Sequence, residues 1–455
     1  MTKKLLGLKD ITLLTFFSNF GVRWLAVAAG MGAVSVFYWI IGAISLAIPM
    51  AFMCAQLSRK YPEEGGLYAW TRHTLGEKNG FVVAWLYFIN NLFYYPAILI
   101  FLATNFAFVI GNPALANNSM FICISVLVAF WFVILISIFG LKMNKIATEF
   151  GGLFGSLVPA ILIIVLAIAV YLATKQSATA FNWQSMISQK GITNSLSNLT
   201  MIMFAMTGVE IIPTFANAVK NPKRDLYFGL IIGAIALVIL YIIGTISLNI
   251  ILAPDDIQKT SGLMHAFQLV FQRFHMPQLT PLVAMLLVFA ELGIVSMWLI
   301  APITMFFKCS PKGVLPEWFQ KTNKNEAPIN ALLFVGVIVS FILMTTTFLP
   351  AVNDMYQILV LMSVLLTFIP YLFLVRVYIK NMKSLNGNGF WKWFFVCTVF
   401  VSLCLGIIFS FQLPSNLTTL NSKILYESEM FFGPAIFMGI GYWIFLKRHP
   451  ERKRR

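Results

Sequence analysis

Two short, similar segments lie 187 positions apart, each in the middle of a long apolar stretch. The first reads FSNFGVR (residues 17–23) and the second FAMTGVE (residues 204–210). Each has Phe, three further residues, Gly-Val and then a charge, and the two charges are opposite. A charge near the centre of a membrane helix costs about 2.5–3.5 kcal/mol on insertion scales, so it normally faces a cavity or a partner. Paired glycine-interrupted segments in two halves of a membrane chain are typical of a transporter's binding site.

Long apolar stretches make up most of the chain. Its 455 residues are 59% hydrophobic and 11% charged, with a mean hydropathy of +0.85. A water-soluble protein could not bury so much apolar surface, so the composition indicates an all-α polytopic membrane protein. The first stretch is already of bilayer length, which does not fit a cleavable signal peptide. The pattern predicts twelve spans, at about residues 11–31, 33–57, 79–111, 119–140, 149–174, 194–218, 226–252, 280–307, 328–349, 354–379, 391–411 and 428–446.

The positive charge is concentrated in alternate loops between these spans. The net charge is +16, and 26 of the 32 Lys and Arg fall in segments on the same side as the N-terminus. By the positive-inside rule both termini are cytoplasmic, which predicts a multi-pass protein of the bacterial inner membrane. The basic tail at 447–455 then anchors the topology, with binding of anionic membrane lipids as a second interpretation. This distribution argues against nucleic-acid binding.

The whole chain, 1–455, is predicted to be one transmembrane domain, because no loop is long enough to fold alone. If the similar segments mark equivalent helices, five spans at 11–174 correspond to five spans at 194–379. Five is an odd number, so the second unit is inverted relative to the first. The last two spans, at 391–446, lie outside this repeat.

Two loops carry amphipathic patterns. After the second span, Pro62 and Gly65-Gly66 predict a turn followed by a short amphipathic helix. The segment 255–273 has apolar residues at helical spacing, which suits a helix lying at the membrane interface.

The glycines of the two segments suggest backbone binding. Unwinding a helix in the membrane frees N–H and C=O groups that hydrocarbon cannot satisfy. Gly21 and Gly208 are therefore candidates for contact with a substrate carboxylate, while close helix packing is the alternative explanation. Arg23 could bind a substrate carboxylate and Glu210 a substrate amine; equally, the two could form an ion pair, permanently or as a gate.

Other polar residues in the spans have two interpretations each. Glu291 is a candidate proton carrier or a partner in an interhelical hydrogen bond. Asn90 and Asn91 supply amide groups that packing does not require. Trp298 could stack on a substrate, or it could be an interfacial anchor.

No enzyme motif is present among the common metal-, nucleotide- or acyl-transfer patterns, so we expect neither catalysis nor a cofactor or metal. The four histidines, at 73, 265, 275 and 449, lie in loops or in the tail. The chain also has no room for an ATP-binding domain, so transport would be secondary.

Longer motifs show a family resemblance along nearly the whole chain. MTGVE (206–210) followed by VKNPKRD (219–225) resembles the sixth helix and next loop of the amino acid–polyamine–organocation transporters. EEGGLYAW (63–70) resembles the loop after their second helix. The segments 290–291, 298–302 and 323–328 resemble the eighth helix and next loop of the bacterial glutamate/GABA antiporter group.

This resemblance implies twelve helices in a LeuT-like five-plus-five inverted repeat, with helices one and six broken, and alternating access with amino acid exchange. It also implies that Glu210 acts in substrate binding and gating, and that Trp298 stacks on the substrate. The residues expected to bind substrate are Phe20, Gly21, Val22, Arg23, Asn90, Asn91, Tyr95, Thr207, Gly208, Val209, Glu210 and Trp298. Glu210 and Glu291 are the candidates for proton coupling or gating.

One position departs from the family pattern. Helix one commonly reads Gly-Ser-Gly in this superfamily, and here it reads Gly21-Val22-Arg23, which disfavours cationic substrates. We therefore expect an amino acid permease or antiporter, with glutamate/GABA-like exchange as one form. The alternatives are a proton-coupled amino acid symporter, a polyamine or organic amine carrier and, more remotely, a transporter-like amino acid sensor.

Overall fold

The computed structural model describes residues 6–62, 65–187, 196–308, 313–346, 352–412 and 420–448. Most of these residues lie in helices. Ten of the described helices are long and apolar enough to cross a membrane, and two shorter helices joined at a 52° bend form an eleventh candidate span. The chain is a multi-pass integral membrane protein of the all-α class, as its composition predicts.

The main helices are named in chain order. They are α1 (Leu8–Asn19), α2 (Arg23–Ala29), α3 (Val34–Lys60), α4 (Gly66–Leu75), α5 (Glu77–Val109), α6 (Ser119–Ile138), α7 (Leu141–Thr174), α8 (Leu196–Ala205), α9 (Pro222–Ile251), α10 (Gly262–Arg273), α11 (Leu279–Phe307), α12 (Ile329–Thr346), α13 (Val352–Asn381), α14 (Gly389–Ser410) and α15 (Leu420–Arg448).

The predicted spans overlap these helices, with three differences. The fifth was predicted to begin at 149, whereas α7 begins at Leu141. The ninth predicted span corresponds to α12, and its predicted last residues, 347–349, lie outside the described residues. The twelfth was predicted to begin at 428, whereas α15 begins at Leu420. Its first turns include Lys423 and Glu427, so hydropathy set the start too late. The predicted tail lies outside the described residues from position 449 onward.

Both breaks predicted from the similar segments are present. The helix α1 ends at Asn19, Phe20 is extended, and α2 starts at Arg23. The helix α8 ends at Ala205, and a 3-10 helix follows at Val209–Ala218. Gly208 joins the two with a φ of +109°, a conformation that glycine adopts without the steric penalty of a Cβ.

The broken segments lie at the centre of the bundle. In an apolar 18-residue stretch of each segment, the buried share is 94% for Leu196–Ala218 and 83% for α5. The corresponding shares are 33% for α14 and 22% for α15. The last two helices are therefore peripheral. The central helices carry the polar residues that the sequence singles out.

The amphipathic loop segments form the helices α4 and α10. In α10 the apolar residues Leu263, Phe267 and Phe271 are buried, and the helix packs against α2, α9 and α11. The apolar face of α10 thus packs on the bundle, and its position at the membrane interface stays a prediction. Burial also lowers the pKa of His265, so this side chain stays uncharged at neutral pH.

Glycines bring α7 and α11 into backbone contact beside Glu291. A Cβ at Gly151 would lie 2.4 Å from the Phe289 carbonyl oxygen, and a Cβ at Gly155 would lie 2.3 Å from the Ala290 nitrogen. Small residues allow this close approach in membrane helices, where packing replaces the hydrophobic effect as the main attraction.

We predict that Gly155→Ala destabilises the protein, because the added methyl group meets the backbone of α11 and cannot be relieved by a rotamer change. The expected loss is about 1–3 kcal/mol, as in other overpacked cores. It would be measured as a lower midpoint of thermal unfolding in detergent. Gly439→Ala in α15 is the matched control, because a Cβ there meets no atom within 4 Å. Equal midpoints for the two variants would contradict the prediction.

Candidate functional site

The two helix breaks are in direct contact. A Cβ on Gly208 would lie 1.9 Å from the Asn19 side-chain oxygen and 2.8 Å from Cζ2 of Trp298. The indole N–H of Trp298 donates a hydrogen bond of 2.7 Å to the Ser18 carbonyl oxygen. Trp298 therefore packs between the end of α1 and the break after α8, and no side chain larger than that of glycine fits at position 208.

Tyrosine hydroxyl groups satisfy the backbone at both breaks. The Gly21 N–H donates to the Tyr241 hydroxyl at 3.1 Å, and this hydroxyl donates to the Asn19 carbonyl at 3.0 Å. The Gly208 N–H lies 3.1 Å from the Tyr371 hydroxyl oxygen. Each hydroxyl thus replaces a hydrogen bond that a continuous helix would make, as the membrane interior requires.

A small enclosed cavity lies at the junction of the breaks. Its volume is about 10 Å³, room for a single water-sized group. The lining residues come from α1, α2, α5, α11 and the segment 204–207; they are Ser18, Asn19, Trp24, Tyr94, Phe204, Ala205, Thr207 and Trp298. Four aromatic rings thus surround the cavity, and a substrate requires them to move apart.

Arg23 forms a buried ion pair with Glu291. Its Nη1 lies 2.7 Å from Oε2 of Glu291, and its Nη2 donates to the Tyr94 hydroxyl at 2.6 Å. The guanidinium also lies over the ring of Trp24, 4.9 Å from the centroid. Of the alternatives open at the sequence level, an ion pair is observed, but its acid is Glu291 and not Glu210.

Glu210 is held by neutral donors. The Tyr87 hydroxyl donates to Oε1 at 2.5 Å, and the Gly208 N–H lies 3.1 Å from Oε2. Among the described residues, no lysine or arginine lies within ion-pair distance of this carboxylate. Glu210 is nevertheless only 1% exposed. Its carboxylate is therefore buried with only hydroxyl and amide donors as partners among the described residues.

The two asparagines of α5 differ in their hydrogen bonding among the described residues. Asn90 is 1% exposed, and neither atom of its amide has a hydrogen-bond partner. It lies three residues after Tyr87 and four before Tyr94, so the three side chains share one helix face. The amide nitrogen of Asn91 donates to the Tyr87 carbonyl at 2.7 Å. Its amide oxygen has no hydrogen-bond partner among the described residues.

Tyr95 contacts Trp298 and is not among the residues that line the cavity. Its hydroxyl donates to the Trp298 carbonyl at 2.8 Å, and its ring stacks on Phe130 at 5.4 Å. The cavity is lined by the preceding residue, Tyr94, whose ring meets Trp298 edge-on at 5.6 Å.

The other predicted residues are buried around the breaks. Thr207 lines the cavity. Phe20 packs on Tyr241 with a centroid distance of 5.0 Å, Val22 is fully buried, and Val209 begins the 3-10 helix. No cluster of three metal-ligating side chains occurs in the part of the chain that the structure describes.

Several residues of the site were not on the predicted list. Tyr87 and Tyr94 could have been found, because they follow the helical spacing around Asn90. Ser18, Asn19 and Trp24 lie beside the first break and could have been included with it. Tyr241 and Tyr371 come from distant helices, and no local pattern identifies them.

We predict that removing one member of the buried ion pair costs more stability than removing both. Glu291→Leu leaves the Arg23 charge buried without a carboxylate, at an expected cost of about 3–5 kcal/mol. The double variant Arg23→Met/Glu291→Leu removes both charges and should lose less than either single variant. The midpoint of thermal unfolding in detergent would be measured for Glu291→Leu, Arg23→Met and the double variant. Losses that simply add in the double variant would show that the two side chains are not coupled.

Comparison of the sequence with those of known proteins places the chain in a family. The family model described as amino acid permease matches residues 6–440. An uncharacterised transporter of Legionella pneumophila is 28% identical over 99% of this chain and 98% of its own length. A glutamate/gamma-aminobutyrate antiporter of Lactococcus lactis is 23% identical, over 77% of this chain and 71% of its own. A putrescine transporter of Escherichia coli is 22% identical over 84% of each chain.

The family model and the relatives confirm what the motifs predicted. The matching region covers both helix breaks and all the residues of the candidate site. The relatives named above are transporters and antiporters, so the prediction of a transport protein is also confirmed. The chain belongs to the amino acid permease family, within the amino acid–polyamine–organocation superfamily.

Proposed function

We propose that the protein is a secondary active amino acid transporter that exchanges substrates by alternating access, with the substrate held between the two broken helices. The observation that carries this proposal is the direct contact of the two breaks around a cavity, at Gly208 and Asn19. Irregular backbone at membrane depth is tolerated where it lines a cavity, and such cavities are the substrate sites of transporters built from broken helices.

The site has a partner for each end of an amino acid. The Glu210 carboxylate lacks a cationic partner among the described residues and would bind the substrate ammonium group. The backbone at Gly21, Val22 and Gly208 would bind the carboxylate, in exchange for the hydrogen bonds that the Gly21 and Gly208 N–H groups make to Tyr241 and Tyr371. Trp298 would cover the substrate, because its ring already closes the cavity between the two breaks.

A larger pocket, called the vestibule, would supply the route to one side of the membrane. It has a volume of about 440 Å³, and its lining includes Leu6, Lys142 and Met297, the residue before Trp298. Lys145 at its rim forms a partly exposed ion pair of 2.7 Å with Asp10. In the proposed cycle, the rings around the small cavity separate and open it into this vestibule.

The topology proposed for this function has twelve spans in two inverted units of five, followed by two peripheral helices. The units comprise residues 11–174 and 194–379. Both breaks are at the expected places, which supports the pairing of the units. The excess of lysine and arginine on the N-terminal side supports an inner-membrane protein with both termini in the cytoplasm.

Proton-coupled uptake is the second candidate, with Glu291 or Glu210 as the proton carrier. The ion pair with Arg23 supports exchange as the first candidate, because it gives Glu291 a fixed partner within the protein at 2.7 Å. A polyamine carrier has support from the relatives, one of which is a putrescine transporter. A sensor would bind amino acids without moving them.

We predict that the purified protein in proteoliposomes accumulates a labelled amino acid only when unlabelled amino acid is present inside. Trp298→Leu should reduce the initial rate about tenfold or more, because it removes the ring between the breaks. The matched control is Trp393→Leu on α14, a tryptophan with 53% exposure. Uptake into empty vesicles driven by a proton gradient would support the symporter instead, and binding without flux would support the sensor.

We predict that the loops on the two sides react differently with a membrane-impermeant maleimide in intact cells. In a cysteine-free background, Lys175→Cys after α7 should react, because this exposed loop is predicted to face outward. Lys324→Cys, which is equally exposed between α11 and α12, should react only after the cells are opened. The reverse pattern would invert the proposed topology.

A further inference from the structure

The charges of the site do not contribute equally to substrate recognition. Three charged side chains are buried around the two breaks: Arg23, Glu291 and Glu210. Arg23 and Glu291 are in contact at 2.7 Å and cancel each other. Glu210 is bound by hydroxyl and amide donors only, within the described residues. The site therefore offers a ligand one uncompensated negative charge and no uncompensated positive charge.

We propose that the site selects amino acids with one ammonium group, one carboxylate and an uncharged side chain, and that the Arg23–Glu291 pair sets this selectivity by excluding anionic side chains. This inference rests on the proposed function. It concerns which substrates the same site accepts.

Both terminal nitrogens of Arg23 are occupied, and only its Nε has no hydrogen-bond partner among the described residues. One terminal nitrogen is bound to Glu291, the other to the Tyr94 hydroxyl, and the guanidinium face lies over Trp24. The guanidinium also lies against the first break, because a Cβ at Gly21 would be 2.7 Å from Nη1. Its position is thus fixed by contacts on several sides.

An anionic side chain would have to compete with Glu291 for this guanidinium. Glu291 is fully buried, and its second carboxylate oxygen has no hydrogen-bond partner. If a ligand displaced it, a carboxylate would remain buried with no cation, which is strongly unfavourable. If the ligand did not displace it, the ligand's charge would add to that of Glu210. Both routes disfavour glutamate and aspartate.

A second ammonium group on the ligand is disfavoured because no second carboxylate is available to pair with it. Glu210 can balance one ammonium group, and Glu291 is already occupied by Arg23. A diamine would therefore place its second charge near Arg23 with no acid left to pair with it. The aromatic walls, formed by Trp24, Tyr94, Phe204 and Trp298, suit an apolar or small uncharged side chain.

The cavity wall also contains its own reporters of binding, since two of its residues are tryptophans. The test is therefore a substrate panel read in two ways: exchange in proteoliposomes, and the change in tryptophan fluorescence of the purified protein. The panel is alanine, leucine, γ-aminobutyrate, glutamate and putrescine. We expect the first three to bind and exchange, and glutamate and putrescine to do so about tenfold more weakly or worse.

Glu291→Gln is the variant that tests the cause. It frees Arg23, so glutamate should gain about tenfold or more relative to leucine in binding, and glutamate should raise the thermal stability of the variant more than leucine does. Glu291→Asp should keep the selectivity of the wild type. Glu317→Gln, which removes an exposed carboxylate between α11 and α12, is the control and should leave the binding of glutamate and leucine unchanged.

Each outcome is decisive. Glutamate that binds and exchanges in the wild type as well as leucine overturns the inference and leaves the transporter proposal intact. Neutral amino acids that bind but do not exchange support the inference and overturn transport. If no neutral amino acid binds, the selectivity proposal is wrong. If Glu291→Gln does not fold, the wild-type panel alone still decides between these results.

Discussion

The structure depends on how it satisfies the backbone where two membrane helices are broken. Hydrocarbon offers no hydrogen bonds, so every N–H and C=O released at a break needs a partner from within the protein. Tyr241 serves the first break and Tyr371 the second. Because these hydroxyl groups come from α9 and α13, the breaks can exist only in the centre of the bundle, and the most buried helices are those that surround them.

The second constraint is the buried charge beside the first break. Arg23 begins α2, and Glu291 lies on α11, 268 residues away in sequence. Their ion pair joins the broken helix to the helix that carries Trp298. Close glycine contacts between α7 and α11 fix the same region from the other side. A single charge pair thus links the position of the break, the aromatic cover and the electrostatics of the cavity.

The sequence predicted what is encoded locally. Apolar length gave the spans, and Gly-Val followed by a charge identified both breaks, because glycine and a buried charge have few other uses in a membrane helix. It paired Arg23 with Glu210, whereas the observed partner is Glu291, because no local pattern shows which acid of a distant helix the guanidinium meets. It also selected Tyr95 where Tyr94 lines the cavity. A difference of one residue turns a side chain by about 100° around a helix, and no pattern in one span shows which neighbour it faces.

The two halves of the first span are held with unequal strength. The second half, α2, carries a fully buried ion pair, whereas the N-terminal half, α1, is linked to α7 by the Asp10–Lys145 pair, whose side chains are 29% and 24% exposed. Partly exposed pairs contribute about 0–1 kcal/mol and weaken with salt. The break at Phe20–Val22 therefore separates a half whose ion pair is shielded from salt from a half whose ion pair is screened by it. A higher ionic strength should weaken the attachment of α1 to α7 at this pair and leave the pair between α2 and α11 unchanged.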